Sequence, residues 1–182
     1  VLDTELSIKQ RSYLQMVRSS ADRLLVLVND ILDFSKIEAG KLELQSITFN
    51  LYENVKETLN LMAFQSKDKG LTLKTNIDKD LPTLLIGDPH RLSQIILNLV
   101  NNGIKFTEKG EVTVEVRRDP KDLDNQRRIM LLITVSDTGI GIPDSEKKRI
   151  FDAFNQANNI NTGAHGGTGL GLVVSSQLAE MM

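Results

Sequence analysis

The sequence contains no cysteine and no tryptophan, only four prolines, and almost no net charge, formally −2 at pH 7. Without cysteine there is neither a disulfide framework nor a thiolate metal site, and the composition suits a reducing compartment. A charge so near zero lacks the clustered basic footprint of nucleic-acid binding. No apolar run approaches the ~20 residues that a membrane helix requires, and the opening residues do not resemble a signal peptide. These absences predict a soluble, cytoplasmic segment that touches neither nucleic acid nor membrane. What is present is 182 residues, 40% of them hydrophobic, enough to bury one core with an appendage. Val1 stands where a starting methionine would, and Met182 falls inside a helical pattern, so the chain reads as cut at both ends.

The first stretch differs from the rest. Ser7 and Gln10 are spaced as a capping box. Beyond them Leu14, Val17, Ala21, Leu24, Val28 and Ile31 alternate steps of three and four, a heptad seam. No glycine or proline intervenes before Gly40, so one helix of about 30 residues spans about 45 Å. Its seam must be buried, against a partner's helices or as a core helix of the same domain. Leu51, Val55, Leu59 and Met62 predict a second helix ending before Gly70, and Leu71, Leu73, Thr75 and Ile77 a strand. Leu84–Ile86 makes a short strand. Asp88 before Pro89 predicts a helix start, with Asp as cap and proline at the first helical position, and that helix runs to about Lys105. Val112, Val114 and Val116 form one alternating strand and Ile129, Leu131, Ile133 and Val135 another. The polar segment Asp119 to Arg128 reads as the hairpin loop between them. Helical signals return at Ser145–Phe154 and after Thr168. Helices mixed with antiparallel-looking strands predict an α/β sandwich, with helices on one face of a mixed sheet.

Three segments carry chemistry. In the helix from Pro89, Leu92, Ile95, Ile96 and Leu99 share the face expected to pack on the sheet. Asn98, Asn102 and Lys105 stack on a separate stripe about 100° away, with Arg91 near it. Asparagine is a mediocre helix former, so Asn98, Asn101 and Asn102 in five positions need a reason. An amide oxygen is a neutral, hard ligand suited to hydrated Mg²⁺, and a lysine one turn on meets phosphate as a point charge. An ordinary solvated helix face accounts for the stripe equally well when it is taken alone. Asp137-Thr138-Gly139-Ile140-Gly141 follows a strand. Its glycines permit a tight turn and close ligand approach, and its carboxylate can accept from an amino group such as that of adenine; a tight turn with an exposed Asp is the plainer account. Gly166-Gly167-Thr168-Gly169-Leu170-Gly171 opens an apolar helix whose bared N–H groups suit phosphate, yet it meets neither Walker nor dinucleotide spacing. Between the glycine turns, Ile150, Phe151 and Phe154 read as anchors and the run after them as a lid.

Asn98 to Thr107 (NLVNNGIKFT), Asp137 to Gly141 (DTGIG), Ile150 to Gln156 (IFDAFNQ) and Gly166 to Leu172 (GGTGLGL) resemble the N, first glycine, F and second glycine boxes of sensor histidine kinases, in that family's order and spacing. Asn29 to Leu44 (NDILDFSKIEAGKLEL) is similar to the second helix and linker of its dimerisation hairpin, especially in hybrid kinases. The resemblance implies an α+β fold, the two-layer Bergerat-type ATP-binding sandwich, preceded by one long bundle-type helix. It divides the chain into residues 1–44, part of the dimerisation and phosphotransfer hairpin, and residues 45–182, the catalytic domain without its last strand. It implies ATP and Mg²⁺ as cofactors, with Asn98 and Asn102 on the metal, Lys105 on phosphate and Asp137 on the adenine amino group. It puts Gly139, Gly141 and Thr168 around the base, and Gly167, Gly169, Leu170 and Gly171 around the phosphates. The implied activity is transfer of the γ-phosphoryl to a histidine, for relay to a response-regulator receiver domain, in a homodimer paired through the dimerisation helices. The acceptor histidine is expected upstream of Val1, since His90 and His165 both lie off the bundle helix.

Two departures from the family stand out. Gly103 occupies a position where alanine is common, and the lid carries no Lys or Arg, where relatives often place a cation before the second glycine box. Two other functions compete. An ATP hydrolase of the same fold would need a carboxylate on the asparagine helix, where this chain offers Gln94 and Asn98, which are not general bases. A degenerate regulatory dimerisation module is opposed by the intact boxes and favoured by the uncharged lid.

Overall fold

A computed structural model describes residues 4–121, 128–153 and 169–182. Helix α1 (Ile8–Glu38) begins at the capping box, where Ser7 Oγ accepts from the Gln10 N–H at 3.3 Å and Gln10 Oε1 accepts from the Ser7 N–H at 3.0 Å. It ends at Gly40, whose φ of +62° is cheap only for glycine. Among the described residues the seam of this 31-residue helix stays open: Val17 is 64%, Leu24 60% and Val28 42% exposed, which is not the burial of a core helix. The C-terminal end packs, with Phe34 and Ile37 against Leu42, Val174 and Leu178. Among the described residues no helix is long and apolar enough to cross a membrane.

Strand β1 (Ile47–Asn50) runs straight into helix α2 (Leu51–Asp68), which Asn50 caps by accepting from the Glu53 N–H at 3.2 Å. The stripe Leu51, Val55 and Leu59 is buried as its spacing predicts. Strands β2 (Thr72–Ile77) and β3 (Leu84–Gly87) follow, and β3 pairs antiparallel with β1. Strand β1 escapes sequence reading because four residues are too few for an alternation, and its partner lies far along the chain.

Helix α3 (Pro89–Phe106) starts at Asp88 as predicted. Parallel strands need a crossover, and α3 supplies it between β2 and strand β4 (Glu111–Arg118). Strand β5 (Leu131–Asp137) returns antiparallel to β4, giving the order β2-β4-β5 and the mixed sheet expected. The core forms between layers: Leu92, Ile96, Val100 and Ile104 of α3 lie with Val112, Val114 and Val116 of β4. The predicted face thus misses Val100 and Ile104 and includes Leu99, which lies outside this cluster. Ile95 turns instead to the smaller cluster around Leu178. The helix expected at Ser145–Phe154 is, over its described residues, a run of turns closing in a 3-10 turn at Arg149–Phe151. None of the residues of that turn is buried, and Phe151 is half exposed, so no packed face sustains a longer helix there. Helix α4 (Gly171–Met181) completes the described chain.

Two carboxylates fasten α3. Asp33 of α1 accepts from Arg91 Nη1 at 2.7 Å and Gln94 Nε2 at 2.8 Å, which takes Arg91 away from the asparagine stripe to which sequence spacing assigned it. Asp88 is buried and accepts from three backbone donors, Gln45 at 3.0 Å, His90 at 3.1 Å and Arg91 at 3.0 Å, so one side chain caps α3 and holds the linker. Burial alone would raise both carboxyls. The donors from Arg91 and Gln94 hold Asp33 below the usual carboxylate range, and those from Gln45, Arg91 and His90 do the same for Asp88. A depressed folded value gives stability that is complete above the unfolded value and lost as pH falls through the folded one. Asp88→Ala should lower unfolding stability by about 1–2 kcal/mol, read from urea midpoints. It should also flatten the loss that wild type shows below about pH 4. An unchanged midpoint at neutral pH would remove Asp88 from this role.

Candidate functional site

The stripe of α3 that carries Asn98, Asn102 and Lys105 is half-buried. Asn98 Nδ2 donates to Ser175 Oγ of α4 at 2.8 Å, leaving its Oδ1 without a donor among the described residues. Lys105 is held over the Phe106 ring, Nζ to centroid 4.7 Å, and among the described residues it makes no ion pair. Burial lowers its ammonium below the usual lysine range. A partly desolvated, unpaired cation beside neutral amide oxygens suits an anion that brings its own metal. Asn101 is exposed and accepts from Gln65 Nε2 at 3.4 Å, so only two of the three asparagines belong to the stripe.

Asp137 ends β5 directly opposite Val112. Cross-strand partners share a face, so its side chain leaves the sheet on the α3 side, where it stays exposed at the strand end. Gly103 makes the room there. A Cβ at Gly103 would lie 3.1 Å from Val112 Cγ1 and 3.6 Å from Asp137 Cβ. The glycine costs the helix about 1 kcal/mol and permits close approach over Asp137. Asp137 Oδ1 accepts from the Gly139 N–H at 2.8 Å. Gly139 itself presses on the Phe106 carbonyl, where a Cβ would overlap the oxygen. Gly141, with φ +69° and open space around it, completes the turn. Behind it Thr138 Oγ1 accepts from the Glu111 N–H at 3.0 Å, tying the turn to the start of β4.

The second glycine segment is described only from Gly169. Gly167 and Thr168 lie outside the described residues, as do Phe154, His165 and the predicted lid. Gly169 has φ +70°, Leu170 is buried, and α4 starts at Gly171 with no side-chain cap. A Cβ at Gly171 would overlap Asn98 Oδ1, so the glycine sets the start of α4 against the asparagine stripe. The three segments therefore meet along α3. Asn98 touches α4 at one end, Gly103 lies over Asp137, and Phe106, beside Lys105, seats Gly139.

Sequence reasoning missed Ser175, which orients Asn98, and Lys69, whose Nζ donates to the Ile104 and Lys105 carbonyls at 2.6 and 2.8 Å. Neither belongs to a motif. The only signal for Lys69 is its place just before Gly70, where α2 must turn back toward the sheet.

Residues 87–182 match the family model for histidine kinase-, DNA gyrase B-, and HSP90-like ATPases, and residues 1–40 match the His Kinase A (phospho-acceptor) domain. The chain is 48% identical over 181 residues to the signal transduction histidine-protein kinase BarA of Escherichia coli K12, covering 100% of this chain and 19% of BarA. It is 45% identical over 179 residues to the sensor histidine kinase GacS of Pseudomonas protegens, covering 98% of this chain and 19% of GacS. Among solved structures, full-length ShkA in complex with AMPPNP matches with a TM-score of 0.79 at 33% identity, over 99% of this chain and 35% of ShkA. The chain thus spans 19% of the length of the curated relatives it matches. The two-layer α+β fold, the boxes gathered along α3 and these likenesses agree: the chain belongs to the histidine kinase-, DNA gyrase B-, and HSP90-like ATPase family, in its histidine-kinase branch.

Proposed function

We propose that this chain is the ATP-binding catalytic core of a sensor histidine kinase, directing the γ-phosphoryl of Mg-ATP to a histidine on a dimerisation helix. The observation that carries the proposal is the convergence along α3. A neutral amide oxygen at Asn98, a half-buried cation at Lys105, a carboxylate under Gly103 and the uncapped start of α4 face one region. Asn98 and Asn102 would hold Mg²⁺, which supplies charge neutralisation at the phosphates when bound. Lys105 meets phosphate, and the first N–H groups of α4 with Gly167, Gly169, Leu170 and Gly171 receive the remaining oxygens. Asp137 accepts from the adenine amino group, with Gly139, Gly141 and Thr168 around the base. Phosphoryl transfer is chiefly positioning and electrostatics, and these residues do both without a general base. The carboxylates hydrogen-bonded to α3, Asp33 and Asp88, are both held below the usual range and are poor bases at neutral pH. That favours transfer over hydrolysis.

Residues 1–44 form the second helix of the dimerisation hairpin and its linker, and residues 45–182 the catalytic domain. Helix α1 contains no histidine. His90 opens α3, its N–H bonded to Asp88, and His165 lies outside the described residues. Neither is the acceptor in this reading. That histidine comes from a helix that covers the open seam of α1 in a homodimer, and a response-regulator receiver takes the phosphoryl next.

Calorimetry should show Mg²⁺-dependent ATP binding, weakened about 10–100-fold by Asn102→Ala or Asp137→Asn. No heat with the parent chain would sink the proposal. Inorganic phosphate should be released slowly or not at all; rapid turnover would favour a hydrolase. With the histidine-bearing helix of the parent protein joined to α1, acid-labile phosphate should appear on that histidine. Tight ATP binding without label would point to a regulatory dimerisation module instead.

A further inference from the structure

At the C-terminal end of α3 the last helical bond runs from the Thr107 N–H to Gly103 O at 3.1 Å, and the three helix carbonyls beyond it, left without helical partners, are each answered. Phe106 O accepts from the Ile140 N–H at 3.4 Å. The other two, Ile104 O and Lys105 O, accept from a single ammonium, Lys69 Nζ, at 2.6 and 2.8 Å. Both bonds are partly buried, so water is a poor substitute. Lys69 is well placed for this because α2 ends there abruptly. Its N–H donates to Gln65 O at 3.2 Å, Gly70 turns with φ +72°, and the Leu71 N–H closes on Ser66 O at 2.8 Å. A cation at a helix C-terminus also meets the negative end of the helix dipole.

We infer that Lys69 is a positioning residue for the nucleotide site, acting through the last turn of α3; the inference rests on the nucleotide-binding reading above. The carbonyl it grips belongs to Lys105, the residue placed on phosphate. The next carbonyl, on Phe106, is the seat of Gly139 and accepts from Ile140. One ammonium from α2 therefore sets the phosphate-binding lysine and the turn after Asp137 in register. Without it the last turn of α3 loses two of the three closures made to it from outside the helix. Lys105 and the Gly139 turn are then free to move apart while the core of Ile96, Val100 and Val114 stays in place.

Mg-ATP calorimetry on this chain tests it, using wild type, Lys69→Met, Lys105→Met and the double variant, each checked for folding by circular dichroism. Methionine keeps the apolar stem and removes the donors. Lys69→Met is expected to weaken ATP by about tenfold, and to add little in the Lys105→Met background, because the two act through one contact. Lys69→Arg, which keeps a charged donor, should recover most of the loss. Lys69→Met binding ATP as wild type does would overturn the inference, and so would two losses that simply multiply in the double variant, the mark of a merely structural role. If Lys69→Met does not fold, Lys69→Gln, which keeps a donor group without the charge, decides by the same cycle: a weakened affinity whose loss disappears on the Lys105→Met background supports positioning, and an unchanged affinity or a loss that multiplies refutes it. Failure of wild type to bind ATP would instead strike the nucleotide reading itself.

Discussion

Burial of one face of α3 on β4 is the constraint from which the other features follow. Leu92, Ile96, Val100 and Ile104 must lie on Val112, Val114 and Val116, and that fixes the rotation of the helix about its axis. Each residue turns the helix by about 100°, so a slip of one position would drive an asparagine into the core and lift a leucine into water. With the phase fixed, Asn98, Asn102 and Lys105 have to face α4 and the end of β5, while Arg91 and Gln94 have to face α1. The same apolar contacts that stabilise the domain thus aim its polar stripe. Asp88 sets the other coordinate, the position of the helix along its axis, by capping the start and holding Gln45.

What could be read in the sequence was whatever is local or periodic. The capping box at Ser7, the Asp88-Pro89 start, the valine alternation of β4 and the glycine turn after Asp137 each have a local cause, and each appears where its spacing put it. The glycine and asparagine boxes were legible because glycine and asparagine are costly where they stand, so their presence points to close approach or ligation. What stayed hidden depends on partners distant in sequence. Strand β1 is defined only by β3. Arg91 looked like part of the asparagine stripe because helical spacing reports angle and not neighbours; Asp33, on another helix, claims it. Ile150 and Phe151 carry helical signals, but neither is buried, and a 3-10 turn results. Ser175 acts through one hydrogen bond and Lys69 through two, all to distant segments, which leave no pattern to find.

The electrostatic plan of the site follows from which helix ends it uses. In the proposed reading the start of α4, which has no side-chain cap, presents positive potential, while Asn98 and Asn102 offer oxygen without charge. A phosphate chain would be drawn there by α4 and Lys105, with the Asp137 carboxylate set aside for the base. Gly103 belongs to the same plan. Its missing side chain sacrifices some helix stability and brings α3 close enough to the sheet for Asp137, on the α3 side, to lie within the region the stripe faces.

Helix α1 is joined to this plan at one end only. Isolated helices draw little stability from propensity, and most comes from packing an apolar face. Among the described residues the packed part lies in the last turns, Asp33 to Glu38, where Phe34 and Ile37 meet the α4 cluster and Gln177 Nε2 donates to Glu38 Oε1 at 3.3 Å. Val17, Leu24 and Val28 are left to be covered by something else. The ion pair that fastens the joint is partly desolvated, with Arg91 at 23% and Asp33 at 13% side-chain exposure, so separating it leaves two charges in a poor medium. Asp33 thus joins α1 to Arg91 and Gln94, at the first turns of the helix that carries the site, while Phe34, Ile37 and Glu38 join it to α4.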